Sequence, residues 1–386
     1  MRDRRQLQLI YMVIVVLIFV FFSSCSNKTS QELLTIQTIS EQSWVAAWSS
    51  TITLSPDENR LYVVNSDSGS VTAVDTDSET VMWEVPVGVG PSTLAVSPGS
   101  DRLYVAVRND GLLVALDAYT GEHIGATVTG PEPYGVITSV DGKTVIVSES
   151  ASDSVSFFDA ARLELLKHLD VRSRPRGLAV SSDGRSLYVT HFLKGDLTVV
   201  DLGSRIVRTV TETGLENNSS QHVAIDPAGG RAYMPHIRSR VNNPNLAFDT
   251  TLQPLVTVVD LKTDRIITRE LLGLDAVDRP VGMPSAVAFS PDGTTLYVVN
   301  ASSNDISVVD LSMGFGIGHI EVGDNPKGIV VTTNGKTAYV HNVLSGDLSV
   351  VDLDNFVEND RIQVTTNPLP PDVLAGKILF HSSDRI

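Results

Sequence analysis

GLAVSSDGRSLYVTHFLKGDLTVVD, residues 177–201, is one copy of a unit that recurs along the body of the chain. Runs of apolar and β-branched residues alternate here with turn residues such as Asp183-Gly184. Such runs predict short antiparallel strands joined by tight turns. With IVRTVT at 206–211, the unit predicts four strands, namely A (Gly177–Ser181), B (Ser186–Thr190), C (Leu197–Asp201) and D (Ile206–Thr211).

The aspartate that ends strand C occurs seven times, and four of the six spacings are 42 residues. The seven are Asp75, Asp117, Asp159, Asp201, Asp260, Asp310 and Asp352. A four-stranded unit of about this length is typical of a propeller blade, which buries its faces against its neighbours. The sequence therefore predicts an all-β, seven-bladed β-propeller over residues 48–366. Because each blade has one such aspartate, the pattern indicates a turn function rather than catalysis.

The strand B sequences LYVVN (61–65), LYVTH (187–191) and LYVVN (296–300) resemble the YVTN family of propeller repeats. The resemblance covers about residues 48–366 and implies the fold. It leaves the function open, because YVTN-like propellers include surface-layer and secreted binding proteins. Related propellers include sugar lactonases and the large subunits of quinoprotein dehydrogenases.

The N-terminus carries an export signal. Arg2, Arg4 and Arg5 precede an apolar run, Leu9–Phe22, which is followed by Ser23-Ser24-Cys25. As a helix this run rises only about 21 Å, too short for the roughly 30 Å hydrocarbon core. It therefore predicts a secretory signal peptide over residues 1–24. Residues 25–47 would form a tether, with Leu34–Ser40 as a strand that closes the ring.

The end of this signal resembles a bacterial lipobox. The resemblance implies that Cys25 is acylated and holds the protein to a membrane of the cell envelope, as a periplasmic or outer-membrane lipoprotein. Ser26 resembles the sorting residue of outer-membrane lipoproteins. Phe22 stands where Leu is usual, so an uncleaved signal anchor remains the alternative.

Charge and cysteine content exclude several functions. The formal net charge is −16, which disfavours binding to nucleic acids. Cys25 is the only cysteine, so this chain has no disulfide, no cysteine-rich metal site and no two-cysteine attachment for haem c. The sequence also lacks a nucleophile elbow, a His-Glu-x-x-His motif, a P-loop and a dinucleotide fingerprint.

Departures from the 42-residue period are concentrated on one side of the predicted ring. Extra residues fall at about 212–220, 238–254 and 271–284. These positions are B–C loops or D–A connections around blades four to six, which share one face of a propeller. Random loop drift is one explanation, and a binding surface is the other.

Basic residues are concentrated in the same sector. They are Arg172, Arg174, Arg176, His191, His222, His236, Arg238 and Arg240. Arg176 also belongs to the ring of residues that begin the innermost strands, with Ser50, Ser92, Tyr134, Gln221, Ser285 and Lys327. Arginine and histidine donors would suit an anionic small molecule or an acidic protein. Two other functions are open for the histidines. One is structural hydrogen bonding, because Asn takes the same position in other blades. The other is a three-histidine metal site.

The tail, residues 367–386, predicts a helix at Val373–Phe380 after Pro368-Leu369-Pro370-Pro371. Leu374–Phe380 resembles the opening helix of c-type cytochrome domains similar to dihaem cytochrome c peroxidases. The resemblance implies a propeller–cytochrome fusion in which haem c belongs to a further domain, with no cofactor in this chain.

Three functions remain open from the sequence. The leading interpretation is an envelope-anchored binding module on the rim of blades four to six, supporting a haem c redox domain or partner. The alternatives are a propeller enzyme, of quinoprotein or lactonase type, and a purely structural envelope protein.

Overall fold

The computed structural model describes residues 48–214, 216–239, 252–274 and 280–383. The chain divides into two units, Met1–Trp44 and Val45–Ile386. The first unit lies outside the described residues, as do Cys25, the predicted closing strand Leu34–Ser40 and Arg240. The described part of the second unit forms seven antiparallel sheets, which confirms the seven-bladed β-propeller.

Six of the seven blades are simple four-stranded meanders. Blade 1 contains β1 (Ile52–Leu54), β2 (Arg60–Asn65), β3 (Ser70–Asp75) and β4 (Thr80–Pro86), and blade 2 contains β5 (Pro91–Val96), β6 (Arg102–Val107), β7 (Leu112–Asp117) and β8 (His123–Val128). Blade 3 contains β9 (Pro133–Thr138), β10 (Thr144–Glu149), β11 (Ser154–Asp159) and β12 (Leu165–Asp170), and blade 4 contains β13 (Pro175–Val180), β14 (Ser186–His191), β15 (Leu197–Asp201) and β16 (Ile206–Thr211).

Blade 5 departs from this plan. It contains β17 (Asn217–Asn218), β18 (Ala224–Ile225), β19 (Arg231–Ser239), β20 (Leu252–Asp260), β21 (Arg265–Ile266) and β22 (Leu272–Gly273). The short strands β17 and β18 both pair with β19, while β21 and β22 both pair with β20. Strands A and D are therefore each split in two, and the blade keeps four strand positions.

The remaining blades return to the simple plan. Blade 6 contains β23 (Pro284–Phe289), β24 (Thr295–Asn300), β25 (Asp305–Asp310) and β26 (Phe315–Glu321), and blade 7 contains β27 (Pro326–Val331), β28 (Thr337–Asn342), β29 (Asp347–Asp352) and β30 (Val357–Gln363). A 3₁₀ turn covers Thr268–Glu270, and the predicted tail helix is present as α1 (Pro371–His381). None of the helices in the described ranges is long and apolar enough to cross a membrane.

The blades are held together by apolar side chains that alternate along their strands. Within the described residues, seven buried clusters lie between neighbouring blades, one for each of the seven contacts in the ring. The last cluster joins Ile52 and Val63 of blade 1 to Leu348 and Ile362 of blade 7. Burial of these faces drives closure, because an isolated meander would leave both faces in water.

The repeated polar residues stabilise turns and interfaces. Asp117 Oδ1 accepts hydrogen bonds from the backbone N–H groups of Tyr119 and Thr120, both at 2.9 Å. These bonds lower the pKa of Asp117, since they favour its charged form. The repeated tyrosine of strand B reaches the next blade, where Tyr104 Oη donates to Ala160 O at 2.8 Å. The predicted turn function of the aspartates is confirmed.

Some of the extra residues of blade 5 lie in paired strands. The sequence placed a B–C loop at about 238–254, whereas β19 and β20 remain paired out to Ser239 and Leu252. Each of these strands has nine residues, against five or six in the B and C strands of the other blades. The pairing extends because both segments keep forming the antiparallel ladder, which satisfies their backbone groups.

Candidate functional site

A cavity of about 300 Å³ lies where the innermost strands begin. Six of the seven residues of the predicted inner ring line it: Ser50, Ser92, Tyr134, Gln221, Ser285 and Lys327. They come from different blades, and every blade presents the same end of its strand A to the central channel. The cavity therefore occupies the mouth of the channel, on the face of the B–C loops.

One wall of this cavity comes from the segment before β1, of which the sequence indicated only Ser50. Trp48 bridges to Ala179 of blade 4, and Ser50 bridges to Leu94 of blade 2. Ser49 N donates to Leu178 O and Ser49 Oγ accepts from Leu178 N, both at 2.9 Å. Residues 48–50 thus cross between blades, and Ser49, Ser50 and Thr51 contribute to the lining.

Helix α1 lies on the same face. Lys377 Nζ contacts Asp67 Oδ1 and Oδ2 at 2.6 and 2.7 Å, in the B–C loop of blade 1. After the helix, Ser383 N and Oγ donate to Ser302 O in the B–C loop of blade 6. Because Asp67 also lines the cavity, the helix is attached directly to the channel mouth.

The predicted rim arginines are mostly paired. Arg172 contacts Asp196 at 3.3 Å and Glu212 at 2.6 Å. Arg174 contacts Glu132 at 2.9 Å. Arg238 Nε donates to Asn217 Oδ1 at 3.3 Å. The charges of Arg172 and Arg174 are thus compensated within the rim, and these side chains hold neighbouring loops together.

Arg176 has a different environment. Its Cζ lies 3.6 Å from the ring centroid of Phe192 and 4.7 Å from that of Tyr134. Nη1 donates to Gln221 Oε1 at 3.2 Å, and Tyr134 Oη donates to the same oxygen at 3.1 Å. Burial lowers the pKa of Arg176 below its usual value. The guanidinium is held in place by aromatic rings and an amide rather than by a carboxylate.

The three site histidines are buried and do not form a cluster. His191 Nδ1 donates to Ser173 O at 3.1 Å, and its Nε2 accepts from Thr198 Oγ1 at 2.8 Å. His236 Nε2 is hydrogen-bonded to Thr257 Oγ1 at 2.7 Å. His191 and His236 therefore join strands B and C of their own blades. Both rings are almost fully buried between strands, and their predicted role as donors to a ligand stays a prediction.

His222 alone of the three lines the cavity. Its Nδ1 accepts a hydrogen bond from Val287 N at 3.4 Å, and its ring lies edge-on to Trp48 at 6.4 Å. Burial lowers the pKa of His222 to about 3 and those of His191 and His236 to about 4. All three are therefore neutral at physiological pH and add no positive charge to the rim.

The predicted alternative of a three-histidine metal site depends on how ligand-type side chains are grouped in the described ranges. No group of three His, Cys, Asp or Glu side chains in these ranges is arranged to hold a metal ion. A histidine that ligates a haem iron needs a ring nitrogen with a free lone pair. In His222 the lone pair of Nδ1 already accepts the Val287 N–H, which leaves the proton of the neutral ring on Nε2. His222 as it is bonded here therefore does not fit axial ligation of a haem iron.

Comparison with known proteins supports the fold. A family model described as the cytochrome D1 heme domain matches residues 56–177, about a third of the chain. A chain of the Kuenenia stuttgartiensis hydrazine synthase structure is similar, with a TM-score of 0.73, 22% identity, and coverage of 80% of this chain and 96% of that one. No curated protein matches the sequence.

Two further solved structures share the architecture. The dihydro-heme d1 dehydrogenase NirN gives a TM-score of 0.53 at 16% identity, covering 83% of this chain and 76% of that one. A functionally unknown protein from Desulfotomaculum acetoxidans gives 0.59 at 12% identity, covering 79% and 95%. At these identities the likeness establishes a shared propeller fold and no common activity.

Proposed function

We propose that this chain is a binding module of the bacterial cell envelope that docks a partner on its B–C face, at blades 4 to 6. The observation that carries the proposal is the one-sided elaboration of blade 5. Its nine-residue strands β19 and β20 extend the sheet toward this face, and the short strand β17 pairs with the extended end of β19 at Ile237 and Arg238. An extended, paired hairpin is a firmer surface than a loose insertion of equal length.

The chemistry of this sector suits a protein partner. Leu193, Leu252 and Met283 are 56, 54 and 38% exposed, in the B–C loop of blade 4, at the start of β20 and just before β23. Apolar side chains rimmed by paired charges such as Arg172–Glu212 resemble the core and rim of a protein interface. The paired rim charges would contribute to specificity more than to affinity.

The proposed location follows from the N-terminus, with residues 1–24 as a signal peptide and Cys25 as the lipid attachment site. The proposed partner is a protein or domain that carries haem c. Two of the similar structures are a hydrazine synthase and a dihydro-heme d1 dehydrogenase, which motivates a redox partner. The tail resemblance to c-type cytochrome domains points the same way. The propeller would position this partner without holding the haem itself.

Site-specific photocross-linking tests the proposal. A benzophenone amino acid would replace Leu193 or Leu252 in the full chain, expressed in the bacterium that encodes it. Val140 is the matched control, because it is 48% exposed in an A–B turn on the opposite face. We expect adducts from positions 193 and 252 that stain for covalently bound haem after denaturing electrophoresis, and none from position 140.

Two outcomes would contradict the proposal. Equal adducts from all three positions, or none from any, would remove docking from this face. Adducts that lack haem would leave docking in place and refute the redox partner. Replacing Arg174, Arg176 and His236 together is a poor test, because His236 is buried and bonded to Thr257, so its loss would disturb the fold.

A further inference from the structure

The channel mouth has an excess of positive charge, although the chain as a whole has a net charge of −16. Arg108 and Arg174 share the single carboxylate of Glu132, at 3.1 and 2.9 Å. Near them, Lys327 lines the cavity together with Tyr134 and Gln221, the two residues that contact the guanidinium of Arg176. Among the described residues, Glu132 is the one carboxylate that forms an ion pair with these four side chains, and it pairs only with Arg108 and Arg174. Asp67, which also lines the cavity, is already paired with Lys377.

Lys327 is the charged side chain in this group without any partner. It stands on β27 with its side chain in the wall of the cavity, and it makes no hydrogen bond or ion pair with any described residue. An ammonium group that loses part of its hydration without gaining an anion destabilises the folded protein. Packing of the blade therefore does not explain why a lysine stands at this position of the innermost strand.

Arg176 and Gln221 stand beside it in a fixed arrangement. The aromatic rings of Phe192 and Tyr134 hold the guanidinium, and Gln221 Oε1 accepts from both Arg176 and Tyr134. A guanidinium held in this way loses little side-chain freedom when an anion arrives. It also has no carboxylate within ion-pair distance among the described residues, so its charge is available.

We propose that the cavity at the channel mouth is a binding site for a small oxyanion, carrying a carboxylate or phosphate group. Its charge is balanced by Lys327 in the cavity wall and by Arg176, which is not itself a lining residue but contacts the lining residues Tyr134 and Gln221. The volume of about 300 Å³ is at the small end of ligand pockets, so the ligand is a small organic acid or phosphate rather than a macrocycle. Hydroxyls of Ser66, Ser92 and Ser285 mainly donate to backbone carbonyls, which leaves recognition to the charged groups. This site is separate from the rim proposed for docking, so either proposal can fail alone.

Calorimetric titration of the full chain with inorganic phosphate, citrate and glycerol, at constant ionic strength, tests the proposal. Glycerol is the neutral control. We expect saturable binding of phosphate or citrate, and whichever binds identifies the recognised group. Lys327→Met should weaken that binding at least tenfold, while Lys327→Arg retains it. Lys336→Met is the matched control, because Lys336 is exposed in the A–B turn of the same blade, and it should leave affinity within about twofold.

Thermal unfolding of each variant establishes that it is folded before titration. The proposal is overturned if neither phosphate nor citrate binds saturably to the folded wild-type chain. It is equally overturned if Lys327→Met and Lys336→Met change affinity by the same factor, since the effect would then reflect net charge alone. Cross-linking at Leu193 is expected to be unaffected by Lys327→Met, which separates this site from the docking surface.

Discussion

Acid should destabilise this propeller steeply, because four histidines are buried as neutral rings. Burial lowers the pKa of His191 and His236 to about 4, and that of His222 and His341 to about 3, from 6.5 in the unfolded chain. Below pH 6.5 the unfolded chain therefore binds more protons than the folded one. The contribution of the neutral histidines to the free energy of unfolding is fully present above pH 6.5. It is lost as the pH falls from 6.5 toward 4.

The substitution His191→Asn isolates one of these contributions. Asn65, Asn300 and Asn342 occupy the same strand B position in other blades, and each donates to a hydroxyl seven residues later, at 2.8 Å. For His191 the corresponding hydroxyl is that of Thr198. Asparagine is thus able to replace the histidine in this hydrogen bond without titrating.

The magnitude follows from the two pKa values. At pH 5, a group with an unfolded pKa of 6.5 and a folded pKa of about 4 has lost about 2 kcal/mol of stabilisation relative to pH 8. Guanidinium unfolding at pH 8 and pH 5 measures this difference. We expect the free energy of unfolding to fall by about 2 kcal/mol less in His191→Asn than in the wild type.

The control is His123→Asn, because His123 is exposed on the outer strand β8. This substitution measures what the same exchange of histidine for asparagine does at an exposed position. The reasoning is refuted if His191→Asn loses as much stability between pH 8 and pH 5 as the wild type does. That result would mean that His191 accepts a proton within the folded state.

Three other predictions test the channel and its surroundings. Gly177→Ala should lower the free energy of unfolding, measured in urea, by about 1–3 kcal/mol, because its Cβ would lie 2.7 Å from the Cα of His222 in the next blade. Gly318→Ala is the control, because its Cβ would meet nothing within 4 Å. Lys377→Met should remove the ion pair with Asp67 and speed amide hydrogen exchange in α1 while the blades stay protected, and unchanged exchange would contradict this. Lys327→Met should raise the free energy of unfolding at pH 7 by up to about 3 kcal/mol, because burial lowers the pKa of Lys327 from 10.5 to about 8. Thermal unfolding should show that this gain disappears above pH 10.5, and a loss of stability at pH 7 would contradict the prediction.

The strands of the blades were predictable because each pairs with its neighbour in sequence. The predicted strands Ser186–Thr190, Leu197–Asp201 and Ile206–Thr211 differ from β14, β15 and β16 by at most one residue. Blade 5 was less predictable, because the same extra residues are compatible with a loop or with a longer hairpin. Only the pairing of Ser239 with Leu252 distinguishes the two.

The candidate site was predictable in part. The inner ring was correctly aligned, since it sits at a constant offset before strand B, and six of its residues line the cavity. The sequence did not indicate which of the basic residues are buried. Lys327 appeared in the ring without being selected, whereas His191 and His236 were selected and are buried. The residue type at a repeat position does not reveal which neighbouring strand or loop will provide the hydrogen-bond partner of its side chain.

The sequence by itself determined the number of blades, their strand order and the face that carries the insertions, because a propeller blade is a local structure with a visible period. The tertiary structure alone decided how charges and donors are distributed at the channel. Asp67 meets Lys377 across 310 residues, and Ser49 meets Leu178 across 129. Closure of the ring brings such residues together, and their pairing leaves Lys327 and Arg176 as the charges available to a ligand.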